Sequence, residues 1–350
     1  MNSRMNLGNY KFYIIKVFII LIPAWLGSGI SSANTTQKES SLLWKITGNG
    51  LDKPSYLFGT YHVTPPQFLD SVAGFKKAFA SVQQYAGETD VTKNIEFPET
   101  RSPYLPKDTT YKDLLSSSDL QYLDIILSKY LPEWSINKVP VRPAYLQYVL
   151  TTTIFSSKAA QLEGNKVLKN TTYESGLDSY LWKTAKNNAL DLIQLETEED
   201  RNRWRLYEHK KGSFDGNLKE DAENLITVMK FFESDTLDII TRFIQLSIEI
   251  KEAYFEQNLI KFEDLNTKSL EIIQSLNLDA DDLSSTLDLI EKKDNIVLKE
   301  RNLFWMEKIP FLIQSKPTFI AVGTSHLIGE YGVINLLRKE GYMVEPVLGE

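Results

Sequence analysis

The chain has 350 residues, 42% hydrophobic and 24% charged, with no cysteine, three histidines and 46 acidic against 39 basic side chains. That composition excludes a disulfide scaffold, thiolate zinc or iron–sulfur chemistry, a cysteine nucleophile, and collagen-like or largely disordered chains. The formal charge of -7, with no dense Lys/Arg stripe, argues against a nucleic-acid partner, because phosphate neutralisation needs clustered basic side chains.

In chain order, the first segment reads as an address. Arg4, Lys11 and Lys16 form a positive n-region, Val17 to Leu26 an apolar h-region broken by Pro23, and Ser31-Ser32-Ala33 supplies the small residues of a cleavage site near Ala33. A secretory signal over 1–33 therefore predicts a secreted or periplasmic protein. The alternative is an uncleaved anchor facing the periplasm, which would be the only membrane contact, but the apolar run is about half the ~20 residues of a spanning helix. Removing those three basic residues leaves 36 against 46 acidic, so the formal charge moves from -7 to -10. Residues 34–41 read as a polar leader, and the folded domain as 42–350.

Leu42 to Thr47 and Ser55 to Gly59 read as strands joined by the turn-rich stretch from Gly48 to Pro54. Apolar spacing at Phe68, Val72, Phe75, Phe79 and Val82 predicts one amphipathic helix, and Gln84 to Gly87 a short strand ending at Glu88. From about 111 to 310 the pattern is nearly all helical. Leu237, Ile240, Ile244 and Ile248, with Phe243 beside them, form a core-facing stripe, as do Leu283, Leu287 and Ile290. One strand, Leu190 to Leu195, interrupts the helices. Thr318 to Val322 is a strand, Gly329 to Lys339 a helix stopped by Gly341, and Met343 to Val347 a last strand. The expected fold is thus α/β (mixed α+β), a single sheet built from N- and C-terminal strands with a large central helical insertion.

Two of the three histidines share a context. His62 lies in Gly59-Thr60-Tyr61-His62 and His326 in Gly323-Thr324-Ser325-His326, each following an apolar strand. Ligands of open α/β sheets gather outside the carboxyl ends of strands, and a glycine there permits a sharp turn or the close approach of a ligand. Glu88 in Gly87-Glu88-Thr89-Asp90 and Glu196 in Leu195-Glu196-Thr197 also follow short strands. Two imidazoles with one or two carboxylates suit Zn, Mn or Co, with positions left for water. Without a metal, a histidine paired with Glu88 is a general base. Glu196 also suits the acidic first turn of a helix with Glu198, Glu199 and Asp200. His209 lies in a charged stretch and reads as a surface residue. No His-Glu-x-x-His helix occurs, and Ser325, adjacent to His326, is poorly placed for a Ser-His dyad.

The strand-Gly-Thr-Tyr-His start, Gly87-Glu88-Thr89-Asp90, Ser175-Gly176-Leu177-Asp178, Leu195-Glu196-Thr197, Arg301-Asn302 and the segment from Val322-Gly323-Thr324-Ser325-His326 to Gly341-Tyr342 together resemble the TraB/GumN (Tiki-like) family. The resemblance implies a fold related to the erythromycin-esterase and ChaN-like proteins, and a metal-dependent peptidase whose site carries over as His62, His326 and Glu88. Arg301 matches the family's Arg-Asn pair, implying a guanidinium that binds an anionic group or the catalytic carboxylate; a helix-surface salt bridge is the alternative. The expectation is a metal-dependent hydrolase of peptides or proteins in the cell envelope. The competing readings are a peptide-binding protein without turnover and a metal-free His/Glu esterase.

Overall fold

The computed structural model describes residues 41–92, 102–136, 141–162, 176–201, 204, 217–233, 238–275 and 280–349. The expected signal, the leader up to residue 40, Ser175, Leu237 and His209 lie outside the described residues. Among the described residues six strands form one sheet: β1 (Leu43–Gly48), β2 (Ser55–Thr60), β3 (Gln84–Gly87), β4 (Asp191–Gln194), β5 (Thr318–Gly323) and β6 (Tyr342–Pro346), in the order β4-β3-β5-β2-β1-β6. β4, β3, β5 and β2 are parallel, and β1 runs antiparallel between β2 and β6. Gly48, Asn49 and Gly50 all take positive φ in the β1–β2 turn, where Leu51 N–H closes on Gly48 O at 2.9 Å. Strand β5 enters the middle of the sheet, and its run of buried residues, like that of β2, fits strands covered on both faces.

The helices are α1 (Phe75–Ala80), α2 (Tyr111–Leu114), α3 (Ser117–Tyr130), α4 (Pro143–Leu162), α5 (Leu177–Asn187), α6 (Leu218–Glu233), α7 (Asp238–Phe255), α8 (Leu259–Gln274), α9 (Ala280–Asp294), α10 (Arg301–Met306), α11 (Ile309–Ser315) and α12 (Val333–Lys339). The helix expected over Phe68 to Val82 is two pieces, a 3-10 turn over Pro66–Ser71 and then α1. Gly74 separates them in the left-handed conformation, with φ 70°, and caps α1. The final helix starts at Val333 instead of Gly329, because Gly329 to Gly332 form a tight turn. A side chain at Gly332 would meet Ile328 O at 2.3 Å.

Alternation along the strands sorts the two faces. Tyr85 of β3, Phe319 of β5 and Phe58 of β2 meet Phe75 and Phe79 of α1 and Trp182 of α5, with ring centroids 5.0 Å apart for Phe79–Phe319 and 5.8 Å for Tyr85–Trp182. Gln84, one residue from Tyr85 and so on the opposite face, donates to Leu312 O of α11 at 2.8 Å. Helices α1 and α5 therefore cover one face, and α10 and α11 the other. Two helices from within the expected insertion, α5 and α10, belong to these layers. Ile240, Phe243 and Ile244 of α7 are buried, as is Ile290 of α9. The α7 hydroxyl of Tyr254 donates to Gly59 O at 3.3 Å, and its ring packs on Tyr61 and Phe68, so the helical region braces the loop that follows β2.

Gly59 sits where two strands and a loop close together. A Cβ there would lie 3.0 Å from Thr324 Oγ1, 3.1 Å from Leu327 Cδ2 and 3.3 Å from the Thr324 Cα. The last of these is backbone and cannot swing aside, so Gly59→Ala is expected to lower stability by about 1–3 kcal/mol, read as a lower urea midpoint at constant m. An unchanged midpoint would show that β2 and the β5 loop are less closely joined than described.

Candidate functional site

The carboxyl ends of β2, β3, β4 and β5 share one edge of the sheet, and each releases one of the expected residues there. His62 follows β2, Glu88 follows β3, Glu196 follows β4, and Gly323 and His326 end β5. Two backbone hydrogen bonds keep the Glu-bearing ends in step, Leu195 N–H to Gly87 O and Glu196 N–H to Glu88 O, both at 2.9 Å. Thr324 Oγ1 donates to Thr60 O at 2.9 Å and ties the two histidine loops to each other. Three side chains meet over Gly323: a Cβ at that position would lie 3.3 Å from Glu88 Oε1, 3.6 Å from His326 Cδ2 and 4.0 Å from His62 Cε1. The missing side chain of Gly323 thus leaves a small space bounded by two imidazoles and a carboxylate.

Each imidazole is pinned at Nδ1, from opposite faces of the sheet. Asp178, in the first turn of α5, accepts from His62 Nδ1 at 2.7 Å and, with its other oxygen, from Thr60 Oγ1 at 2.7 Å. Asn302 of α10 holds His326. Its Nδ2 donates to His326 O and Tyr331 O, so its Oδ1, 2.7 Å from His326 Nδ1, must be the acceptor. The His326 proton is therefore on Nδ1, and Nε2 keeps its lone pair, facing Arg301 Nη1 at 3.3 Å. A six-residue π-helical stretch, Asn295–Glu300, immediately precedes Arg301. Such wide turns rotate the helix that follows, and this one is followed by Arg301, Asn302 and Trp305, which all reach the site.

Arg301 organises the negative charge. Its Nη2 donates to Glu88 Oε2 at 2.7 Å and to Glu196 Oε2 at 3.0 Å, and its Nε donates to Glu196 Oε1 at 2.7 Å. Of the two partners expected for this guanidinium, an anionic ligand or the site's carboxylate, the structure pairs it with the carboxylate. Burial alone would push Glu88 up, but Arg301, the two imidazoles and the Gly323 N–H, which donates to Oε1 at 2.7 Å, hold its carboxyl far below the usual range. Burial pushes Glu196 up despite Arg301. Burial and the Arg301 charge hold His326 down to about 3, so it is neutral. His62 goes the other way: partial burial opposes its charge, yet Asp178 prevails and raises it to about 9. Two histidines in matching motifs thus carry different charges.

The expected four-ligand metal set of His62, Glu88, Glu196 and His326 is not what the structure assembles. Both Glu196 oxygens are engaged by Arg301, Trp305 Nε1 donates to Oε1 at 3.0 Å, and the side chain is 1% exposed. Glu196 is a buried support for Arg301, whose guanidinium stands between it and Glu88 and His326. Among the described residues no group of three or more His, Cys, Asp or Glu side chains stands in metal-ligand geometry. The remaining three donors nonetheless fit a divalent ion in kind. Two imidazoles held at Nδ1 by a carboxylate and an amide, around a Cβ-sized space with an ionised carboxylate, have the outer-shell support that metal-bound histidines carry. Asp178 and Asn302 carry no role that sequence spacing reveals; the signal for each is an acceptor able to reach a histidine Nδ1, and only the fold brings it there.

The sequence model of the TraB/PrgY/gumN family matches residues 42–346. The chain is 22% identical to "Metalloprotease TIKI homolog" of Amphimedon queenslandica over 93% of its own length and 64% of that protein. It is 25% identical to "Metalloprotease TIKI2" of Danio rerio over 89% and 62%. It therefore spans a little under two thirds of these curated relatives. No solved structure matches it.

Proposed function

This chain belongs to the TraB/PrgY/gumN family, and from that premise we propose that it is a metal-dependent peptidase of the cell envelope, acting on peptides or proteins. One observation carries the reading: two Nδ1-anchored imidazoles and an ionised carboxylate enclose the space over Gly323 at the carboxyl ends of parallel strands. His62, His326 and Glu88 would hold the ion. A divalent ion in such a site supplies Lewis acidity and a water of lowered pKa. Arg301 keeps Glu88 ionised, Asn302 keeps the His326 lone pair on Nε2, and Asp178 keeps a proton on His62 Nδ1. The names of the two metalloprotease relatives support the same reaction class. Export rests on the apolar, positively led segment over 1–33, and the exclusion of a nucleic-acid partner on the acidic balance of the chain.

A metal-free His/Glu hydrolase is the second reading, favoured by Arg301, which already places a cation against Glu88 and next to the neutral His326. Chelation separates the two. The purified chain is expected to bind one Mn, Co or Zn ion, to lose it in a His62→Ala/His326→Ala variant, and to cleave a peptide library only when the ion is present. Cleavage that persists after chelation assigns the chemistry to His and Glu alone, and ion or peptide binding without cleavage makes the protein a binder.

A further inference from the structure

We infer that Asp178 is the positioning residue of His62, and that Thr60 completes its seat. The inference rests on the reading above for the reaction, and on geometry alone for the placement. Asp178 is only 14% exposed, and each of its oxygens has a separate task, Oδ2 on His62 Nδ1 and Oδ1 on Thr60 Oγ1, both at 2.7 Å. Rotating the carboxylate breaks one bond or the other, so the ring that it grips is fixed in direction. The same helix end holds the histidine backbone, because Leu177 N–H donates to His62 O at 3.2 Å.

The two histidines differ in how much they need such a grip. His326 is 5% exposed and its ring lies 4.4 Å from that of Trp305, so packing confines it. His62 has 46% of its side chain in solvent, where an imidazole samples several rotamers unless a strong hydrogen bond selects one. Charge-assisted bonds are about twice as strong as neutral ones, and the exposed ring is the one with the carboxylate partner while the packed ring has an amide. An ordinary surface ion pair contributes little and is freely remade; this one is largely buried on the acid side and shared with Thr60. The matched Gly-Thr motifs acquire a physical division here. Thr60 seats Asp178, whereas Thr324 Oγ1 donates to Thr60 O and joins the two loops.

The test uses the full chain, first metal-free and then with Zn or Mn ion alone. In proton NMR of the metal-free protein, the His62 Nδ1 proton is expected at low field, and Asp178→Asn is expected to move it upfield or broaden it away. The His326 Nδ1 proton, held by Asn302, should stay in place and report an intact fold. Ion affinity is expected to fall 10–100-fold, and kcat to fall with KM little changed. Thr60→Val, which leaves Asp178 in place, should shift the same His62 signal in the same direction and by less, and it replaces Asp178→Asn if that variant does not fold. A His62 signal unmoved in both variants overturns the inference, as does an ion affinity that Asp178→Asn leaves unchanged when the wild type binds the ion. If wild type binds no ion, the metallopeptidase reading fails while the NMR comparison still decides the positioning.

Discussion

Replacing Arg301 with methionine is expected to cost about 3–5 kcal/mol of stability at pH 7, the usual penalty for stripping the partner from buried charges. Against a total of about 5–15 kcal/mol this removes much of the folded state's margin. The reason is the double pairing: one guanidinium satisfies Glu196 through two nitrogens and Glu88 through one, and Glu196 has almost no solvent to fall back on. The pH dependence gives the mechanism away. In wild type, the depressed Glu88 contributes stability that is present above the ordinary carboxylate value of 4.5 and is lost as pH falls toward its folded value. In Arg301→Met, Glu196, which burial already pushes up, loses its cation and rises further, and Glu88 keeps only the histidines and the Gly323 N–H against its burial, so the raised carboxyl values dominate. The variant should therefore be most stable in acid and lose stability as pH rises through those values, the opposite sign. Thermal melts from pH 4 to 8 check this; a variant that melts like wild type at pH 7 would mean that the triad contributes no net stability. Arg301→Lys, a point charge without the planar fork, should recover only part of the loss.

The second large effect concerns a single methyl group. Gly323 has φ -54° and ψ 139°, a backbone that alanine adopts without strain, so Gly323→Ala should stay within about 1 kcal/mol of wild type in stability. Its Cβ, however, would stand in the space bounded by Glu88 Oε1, His326 Cδ2 and His62 Cε1. The methyl would press on Glu88 Oε1, which must give by a few tenths of an ångström, and would fill the space over Gly323, so ion affinity and peptide cleavage should both fall by about 10-fold or more while the melting curve hardly moves. The outcome that would sink the idea is an alanine variant with wild-type affinity and turnover. The comparison with Gly59→Ala is informative, because there the loss should appear in stability. The two glycines of the repeated motif are alike in sequence and opposite in what a side chain would meet.

That contrast marks where the sequence stops being legible. All six strands were readable, because alternation, apolar runs and glycine-rich turns are local properties. The break at Gly74 and the late start at Val333 were not, since the apolar spacing of Phe68 to Val82 suits one continuous helix and the turn ahead of α12 is set by contacts of Gly332 with its own chain. In the site, the repeated Gly-Thr-x-His and the Glu after β3 point to residues that the fold brings together over Gly323. Their partners are another matter. Arg301 pairs with carboxylates 105 and 213 residues away, and no spacing rule reaches that far. Glu196 looked like a ligand or a helix start because its neighbours are acidic; its burial under Trp305 and Arg301 is a tertiary fact. The charge difference between His62 and His326 comes from Asp178 beside the first and from burial and Arg301 around the second, and identical motifs conceal both.

The position of β5 bears on timing. It lies between β2 and β3 although the chain makes it second to last, and the bond from Thr324 to Thr60 joins residues 264 apart. A nascent chain that has made β1 to β4 holds His62, Glu88 and Glu196 but lacks Arg301, Asn302, Gly323 and His326, so it has neither the guanidinium nor the floor of the space. Long-range pairing of this kind also forms slowly. No fragment of this sequence that ends before β5 can therefore assemble the cluster. The meeting of His62, Glu88 and His326 over Gly323 thus reports that the last parallel strand has found its slot.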